Sequence, residues 1–413
     1  MPSLPNAPQA LAGLRVLEVA GPMTQYCGKM FAELGADVVL IEPPGGSSIR
    51  AVPPFVDGQP GAERSLAYAY FNTSKRGITL DISKPQGGEI FRKLAGQADL
   101  VIESEKPGLM SKWGCGYPEL AKARPSLVMT SITGFGQTGP YAEWEWEDLI
   151  ALATGGFLYL GGYEDLPPTG AYGDQAYLGA GMYGAVAAML AVTGAELNGD
   201  GEHVDVSMQE CMVMAMETAV QFYDLQGEIR KRHAGEQRFA GTGVFPCKDG
   251  YVYMMAAGIG ANKFWAMSLK WMVDEKVPGV ERLQGPEWTT MDYVKTEEAK
   301  QIYADVFGPW AMTKTKAYIY AEGQRRHLPL AAINDPSDLL TSKQLEFRKY
   351  FIDLLHPQTG RTLHMPGAPY QLHGTPWQLR SPAPSLGQHT ADVLGEIGLG
   401  TAELAALTKG GVI

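Results

Sequence analysis

The feature that most restricts the fold of this chain is an alternation. Between residues 14 and 135, short apolar runs alternate with longer amphipathic segments. "LRVLEVA" (14–20), "VVLIEPP" (38–44), "GITLDIS" (77–83), "ADLVIES" (98–104) and "SLVMTSITG" (126–134) read as strands. Their near-continuous apolar character is that of parallel strands buried on both faces. Between them, "CGKMFAELGAD" (27–37), "PQGGEIFRKLAGQ" (85–97) and "YPELAKARP" (117–125) read as helices, two of them with a proline near the start. Alternating strands and helices predict a doubly wound, Rossmann-like α/β sheet. No G-x-G-x-x-G follows the first strand, so a dinucleotide site is not supported.

The texture changes after residue 135. "GFGQTGPYAEWEWED" (134–148) is a turn-rich loop with two tryptophans, and helical periodicity follows over 177–195 and 206–228. "GTGVFPCKDGYVYMMAAG" (241–258) predicts two short strands around the turn "KDG", and residues 259–328 read as mostly helical. "LPLAAIND" (328–335) reads as a strand, and 390–413 as helix broken by glycines. For 413 residues, at roughly 150 per domain, this predicts a large α/β domain with a smaller one inserted. The expected boundaries are 1–200 plus 329–413 for the large domain, 225–328 for the small domain, and a linking helix over 201–224.

A net charge of −11 argues against a nucleic-acid partner. The four cysteines (27, 115, 211, 247) form no C-x-x-C, and the expectation is free thiols in a reducing cytoplasm. The amino terminus has no basic region followed by a long apolar run, so no signal peptide is apparent. "YLGAGMYGAVAAMLAVTGA" (177–195) approaches spanning length, but its glycines and alanines suit a tightly packed internal helix, and no membrane association is expected. The seven histidines show no H-x-x-x-H or H-E-x-x-H spacing, so no metal site is expected. Neither a G-x-S-x-G elbow nor a Walker A loop occurs.

Basic residues near strand ends are the first candidates for ligand contact. Lys75 and Arg76 precede the third strand, Lys106 follows the fourth, and Lys112 lies six residues further on. Ligands in open α/β sheets bind outside the carboxyl ends of the strands, where a lysine meets a phosphate as a point charge. Spacing alone also fits four solvated surface residues. Asp174, in "TGAYGDQAYLGAG" (169–181), stands just before the small-residue helix. It suits a helix cap. It could serve as a nucleophile only if placed beside an electrophilic carbonyl, and without that context it reads as a cap.

Several stretches, in order, are similar to one family. They are "LAGLRVLEVAGP" (11–22), "MFAELGADVVLIEPPGGSSIR" (30–50), "FNTSKRGITLDIS" (71–83), "SITGFGQTGPY" (131–141), "GDGEHVDVSMQECM" (199–212), "KDGYVYM" (248–254) and "SPAPSLGQHTADVLGEIGLG" (381–400). Together they identify the chain as resembling the class III CoA-transferases of the CaiB/BaiF, formyl-CoA transferase type. The resemblance implies a Rossmann-like large domain, a smaller inserted domain, and two chains threaded as interlocked rings. It implies transfer of CoA between carboxylic acids, with an acyl-CoA thioester as substrate and no permanently bound cofactor. An aspartate attacks the thioester through anhydride and aspartyl-CoA intermediates. Lys75, Arg76, Lys106 and Lys112 are then candidates for the phosphates or adenosine of CoA.

The chain departs from the family pattern where it matters most. Counted back from "NGDGEHVDVSMQE", the glycine that follows the nucleophile by one helical turn is Gly181, which places Tyr177 at the nucleophile position. Asp174 lies three residues earlier, about 4.5 Å along a helix. A phenol, with pKa about 10, is a poor substitute. Leu40, Ser47, Ser48 and Thr133 replace charged residues often present in the family, and a tandem-glycine loop is reduced to Gly235, Gly241 and Gly243. The chain therefore resembles the non-nucleophilic subunit of a heteromeric member, a heterodimer or heterotetramer whose homologous partner supplies the aspartate. Such enzymes move CoA from a dicarboxylic acyl-CoA such as succinyl-CoA to an aryl-substituted succinate, as in benzylsuccinate activation during anaerobic toluene degradation. The other readings are a self-sufficient homodimeric transferase using Asp174, a racemase-like acyl-CoA isomerase, and a CoA-ester binding protein without turnover.

Overall fold

The computed structural model describes residues 8–257 and 262–413. The chain forms two compact units, one of residues 1–159, 170–229 and 350–413, the other of residues 160–169 and 230–349.

The large unit is built on a six-stranded sheet of β1 (Arg15–Val19), β2 (Asp37–Glu42), β3 (Arg76–Thr79), β4 (Leu100–Glu103), β5 (Val128–Thr133) and β6 (His203–Ser207). The order is β3-β2-β1-β4-β5-β6, with every pair parallel. This is the doubly wound arrangement predicted, and the order reverses between β1 and β4. Register explains the apolar runs. Val16 lies opposite Val38 and Leu100 and faces one core; Leu17 lies opposite Val39 and Val101 and faces the other. Helices α1 (Thr24–Glu33), α2 (Leu66–Phe71), α3 (Pro85–Ala95), α4 (Leu109–Lys112), α5 (Tyr117–Ala123), α6 (Asp148–Thr154), α7 (Gln175–Asn198), α8 (Met208–Ala215) and α9 (Ala219–Gln226) complete the first 229 residues. Helix α7 lies on the first core, and α3 with the 390–396 helix on the second.

Among the described residues α7 is the one helix long and apolar enough to cross a membrane. Its buried face is a strip of small residues, including Ala180, Gly181, Gly184, Ala188 and Ala191. A Cβ on Gly181 would lie 3.0 Å from the carbonyl oxygen of Met23, and one on Gly184 would lie 2.6 Å from Ile132. The glycines thus let α7 approach α1 and β5 more closely than any side chain would permit.

The small unit contains the antiparallel sheet β7 (Thr242–Cys247), β8 (Gly250–Met255) and β9 (Leu330–Ile333), in that order. Helices over 262–274 and 297–311 bring Trp271, Tyr303 and Phe307 into its core. A hairpin, β10 (Phe351–His356) and β11 (Arg361–Pro366), belongs to the large unit.

Three expectations are corrected. The strand at 330–333 pairs with β8, so residues 329–349 belong to the small unit, and the boundary lies near 350. Residues 201–224 are not a linking helix, because 203–207 form the sixth sheet strand, paired with β5. The helix read over 206–228 is two helices, interrupted where Glu217 adopts φ 54°. Of the stretch read as 241–258 and the helical region 259–328, residues 258–261 lie outside the described residues.

Candidate active site

The reversal of strand order creates a crevice between the loops that leave β1 and β4. Those loops touch: a Cβ on Gly21 would lie 2.2 Å from Ser104 Oγ. The Gly21 N–H donates to Thr24 Oγ1 (3.0 Å), whose hydroxyl donates to Val19 O (2.9 Å), fixing the turn into α1. Beside it, a cleft of about 300 Å3 lies at the carboxyl ends of β1 to β4, with Val19, Ile41 and Leu80 as apolar walls.

The start of α7 carries Asp174 and Tyr177, the two residues weighed in the sequence for the nucleophile position. Asp174 occupies the N-cap residue, but its carboxylate makes no capping bond and is exposed. The capping comes from elsewhere in the chain. Asp148 Oδ1 accepts the N–H groups of Ala176 (2.7 Å) and Tyr177 (3.1 Å). Burial raises the Asp148 pKa, and the two N–H groups oppose that rise by favouring the anion. The reading of Asp174 as a cap is therefore corrected: it stands at the cap position, and Asp148 does the capping. Tyr177 packs half-buried against the first core, and burial raises its phenol above the usual value. The contact between Gly181 and Met23 fixes this stretch of α7 against α1, and Tyr177 lies one turn before it.

The four basic candidates separate. Lys75 is 1% exposed. Its ammonium meets Glu18 at 2.7 Å, Gln25 O at 2.9 Å and Asn72 Oδ1 at 2.9 Å, so its three donors are spent inside the fold. Burial lowers the Lys75 pKa and raises that of Glu18, and each charge counters the shift of the other. Arg76 binds Asp37 and Glu396 at the amino end of β3, the end of the sheet away from the cleft. Neither is placed to meet a phosphate in the cleft, which corrects the expectation for both. Lys106 and Lys112 do lie beyond the carboxyl end of β4. Lys106 is exposed and paired with Glu145. Lys112 is exposed beside Trp113, which lines the cleft, and makes no ion pair among the described residues.

The same end of the sheet carries acids that the sequence reading passed over. Glu103, 2% exposed, accepts the Glu105 N–H at 2.7 Å, and burial pushes its carboxyl up to about 7. Ser131, opposite it on β5, lies 2.8 Å from His203 Nε2 and hydrogen-bonds Glu103. Asp81 and Glu105 line the cleft. Asp148 carried no signal either, because it lies in a stretch read as loop and its role depends on a helix start 28 residues away. Among the described residues no group of three or more His, Cys, Asp or Glu side chains could hold a metal ion.

Comparison with known proteins fits this geometry. Residues 11–390 match the profile of CoA-transferase family III. The chain belongs to that family. It is 37% identical over 407 residues to the succinyl-CoA:(R)-benzylsuccinate CoA-transferase subunit BbsE of Thauera aromatica, covering 98% of each chain. It is 30% identical to the succinyl-CoA–L-malate CoA-transferase beta subunit of Chloroflexus aurantiacus, covering 94% of each. A CAIB/BAIF family protein from Brucella suis shares the fold with a TM-score of 0.82 and 27% identity, over 94% of this chain and all of that one. Family III membership makes the chain a CoA-transferase, and the first two relatives are named as subunits.

Proposed function

We propose that this chain is the non-nucleophilic subunit of a heteromeric family III transferase. The assembly moves CoA from succinyl-CoA to an aryl-substituted succinate in the cytoplasm. A homologous partner, threaded with this chain as interlocked rings, supplies the attacking aspartate. In that reading the partner's carboxylate adds to the thioester carbonyl and expels the CoA thiolate, leaving a mixed anhydride. The thiolate then attacks the aspartyl carbonyl and releases succinate. The acceptor acid repeats the two steps in reverse.

One observation carries the reading. The half-buried phenol of Tyr177 stands one turn before the pinned Gly181, while the nearest carboxylates are otherwise disposed. Asp148 is held by two backbone N–H groups, and Asp174 points into solvent. A neutral phenol is a weak nucleophile whose ester would turn over slowly. The BbsE and malate-transferase names support a partner subunit, and the BbsE name supports the aryl-succinate acceptor.

The test is to purify the chain alone and with a co-expressed homologue that carries aspartate at the corresponding position. CoA exchange is then assayed between succinyl-CoA and (R)-benzylsuccinate. The reading expects exchange only from the mixture, unaffected by Asp174→Ala in this chain. Exchange by the lone chain that Asp174→Ala abolishes would establish a self-sufficient enzyme instead.

A further inference from the structure

Glu103, Ser131 and His203 form a line of polar groups that the transferase reading does not use. Strand periodicity puts them on one face of the sheet. Val101 on β4 and Met129 on β5 belong to the second core, Glu103 and Ser131 follow them by two residues, and His203 on β6 lies opposite Met129. Glu103 accepts the Glu105 N–H at 2.7 Å and hydrogen-bonds the Ser131 hydroxyl. Ser131 Oγ lies 2.8 Å from His203 Nε2. Glu103 and Ser131 are 2% and 1% exposed, whereas the His203 ring reaches solvent. That ring stacks on Tyr117 of α5 with centroids 5.6 Å apart, and its Nδ1 makes no hydrogen bond among the described residues. The serine stands between the acid and the imidazole, so this is not a nucleophilic triad, in which the imidazole is central.

The charged surroundings keep a proton on the line. Burial, with Glu105 of the same loop and Asp205 of β6 adding to it, pushes the Glu103 carboxyl up to about 7. Burial lowers the His203 pKa, opposed by Asp205, so the ring is neutral where Glu103 titrates. Tyr117 is the titratable group that α5 brings against the ring. Neither Glu103 nor His203 forms an ion pair among the described residues.

A serine hydroxyl has one proton, so it donates toward one neighbour and accepts from the other. Two arrangements satisfy the line. In the first, the protonated Glu103 donates to Ser131 Oγ, Ser131 donates to His203 Nε2, and the ring proton sits on Nδ1. In the second, Nε2–H donates to Ser131 Oγ, Ser131 donates to the Glu103 carboxylate, and Nδ1 is bare. To convert the first into the second, the Glu103 proton passes to Ser131 Oγ, the serine's own proton passes to Nε2, and the Nδ1 proton leaves to water. One proton is lost, and the imidazole is neutral before and after. The carboxylate so formed holds the Glu105 N–H by a charge-assisted bond, and Glu105 lines the cleft.

We propose that Ser131 and His203 are a proton relay between Glu103 and solvent, and that the relay sets how firmly the loop leaving β4 is held at the cleft.

NMR of the histidine nitrogens in the full chain tests it, with the His203 signals identified by their loss in His203→Gln. The ring proton is expected on Nδ1 below about pH 7 and on Nε2 above it, with the Glu105 amide proton shifting at the same midpoint. Glu103→Gln, whose amide donates to Ser131 at every pH, should hold the Nδ1–H form throughout, and Ser131→Ala should abolish the switch. Both variants are checked for an unchanged melting transition. A single tautomer of the neutral ring across this range in the parent chain would overturn the proposal, as would a switch that persists in folded Glu103→Gln or Ser131→Ala. A Glu105 amide midpoint more than about one pH unit from that of the ring would remove the link to the cleft loop. The parent titration decides the matter if the variants do not fold.

Discussion

The two ends of the parallel sheet are charged in different ways. At the amino end, charges are matched. Arg15 meets Glu396 at 2.6 Å and Arg76 meets both Asp37 and Glu396 at 2.5 Å, with Arg124 paired to Asp99 alongside. At the carboxyl end, Glu105 and Asp174 lack counter-ions among the described residues, Asp148 is held only by backbone N–H groups, and Glu103 is pushed up to about 7. Matched charges tie the fold together. Unmatched ones are tolerated where a ligand or a partner chain meets the sheet, and ligands of open α/β sheets bind outside the carboxyl ends of the strands.

The comparison can be broken in the core beneath the cleft, where the largest effect is expected. Lys75→Met leaves Glu18 buried and unpaired, which costs about 3–5 kcal/mol. Urea denaturation should show that loss, and Glu18→Leu added to Lys75→Met should recover much of it. A loss below about 1 kcal/mol would mean that Lys75 is a surface residue, as its sequence position first suggested.

Next in size is a pH effect at Glu103. Its carboxyl is pushed up to about 7 in the folded chain, above the 4.5 expected when unfolded. The folded state therefore binds the extra proton between those values. This group's contribution to stability is fully present below pH 4.5 and falls as pH rises toward 7, by as much as roughly 3 kcal/mol. Glu103→Gln should flatten that part of the stability profile and raise the melting temperature at pH 8. An unchanged profile would show Glu103 to be solvated.

Smaller still is Asp148→Ala, which frees the N–H groups of Ala176 and Tyr177 and should cost about 1 kcal/mol. Asp174→Ala should change stability by less than about 0.5 kcal/mol, since its carboxylate caps nothing. The reverse ranking would reassign the cap to Asp174. At the paired amino end, Arg76→Ala should cost no more than about 1 kcal/mol, because its partners remain partly in water.

The parallel sheet was legible in the sequence because double-sided burial leaves continuous apolar runs. Strand β6 was not, since "HVDVS" alternates and begins with exposed residues. The 330–333 strand was visible as a strand, but its pairing with β8 is a long-range choice that no local pattern encodes. At the site, the place of Tyr177 in the small-residue helix could be read from the sequence, and it lies in the first turn of α7. The withdrawal of Lys75 could not, because Glu18 and Asn72 approach it from different elements. Asp148 escaped for the same reason: a carboxylate that caps a distant helix leaves no trace in its own neighbourhood.

The central claim is that this chain contributes no nucleophilic carboxylate, and chemical trapping tests it most directly. An aspartyl anhydride or aspartyl-CoA thioester is converted by hydroxylamine to a stable hydroxamate. The complex is incubated with succinyl-CoA, quenched with hydroxylamine and mapped by peptide mass spectrometry. The account predicts the hydroxamate on an aspartate of the homologous chain and an unmodified 169–181 peptide here. A hydroxamate on Asp174 would contradict it.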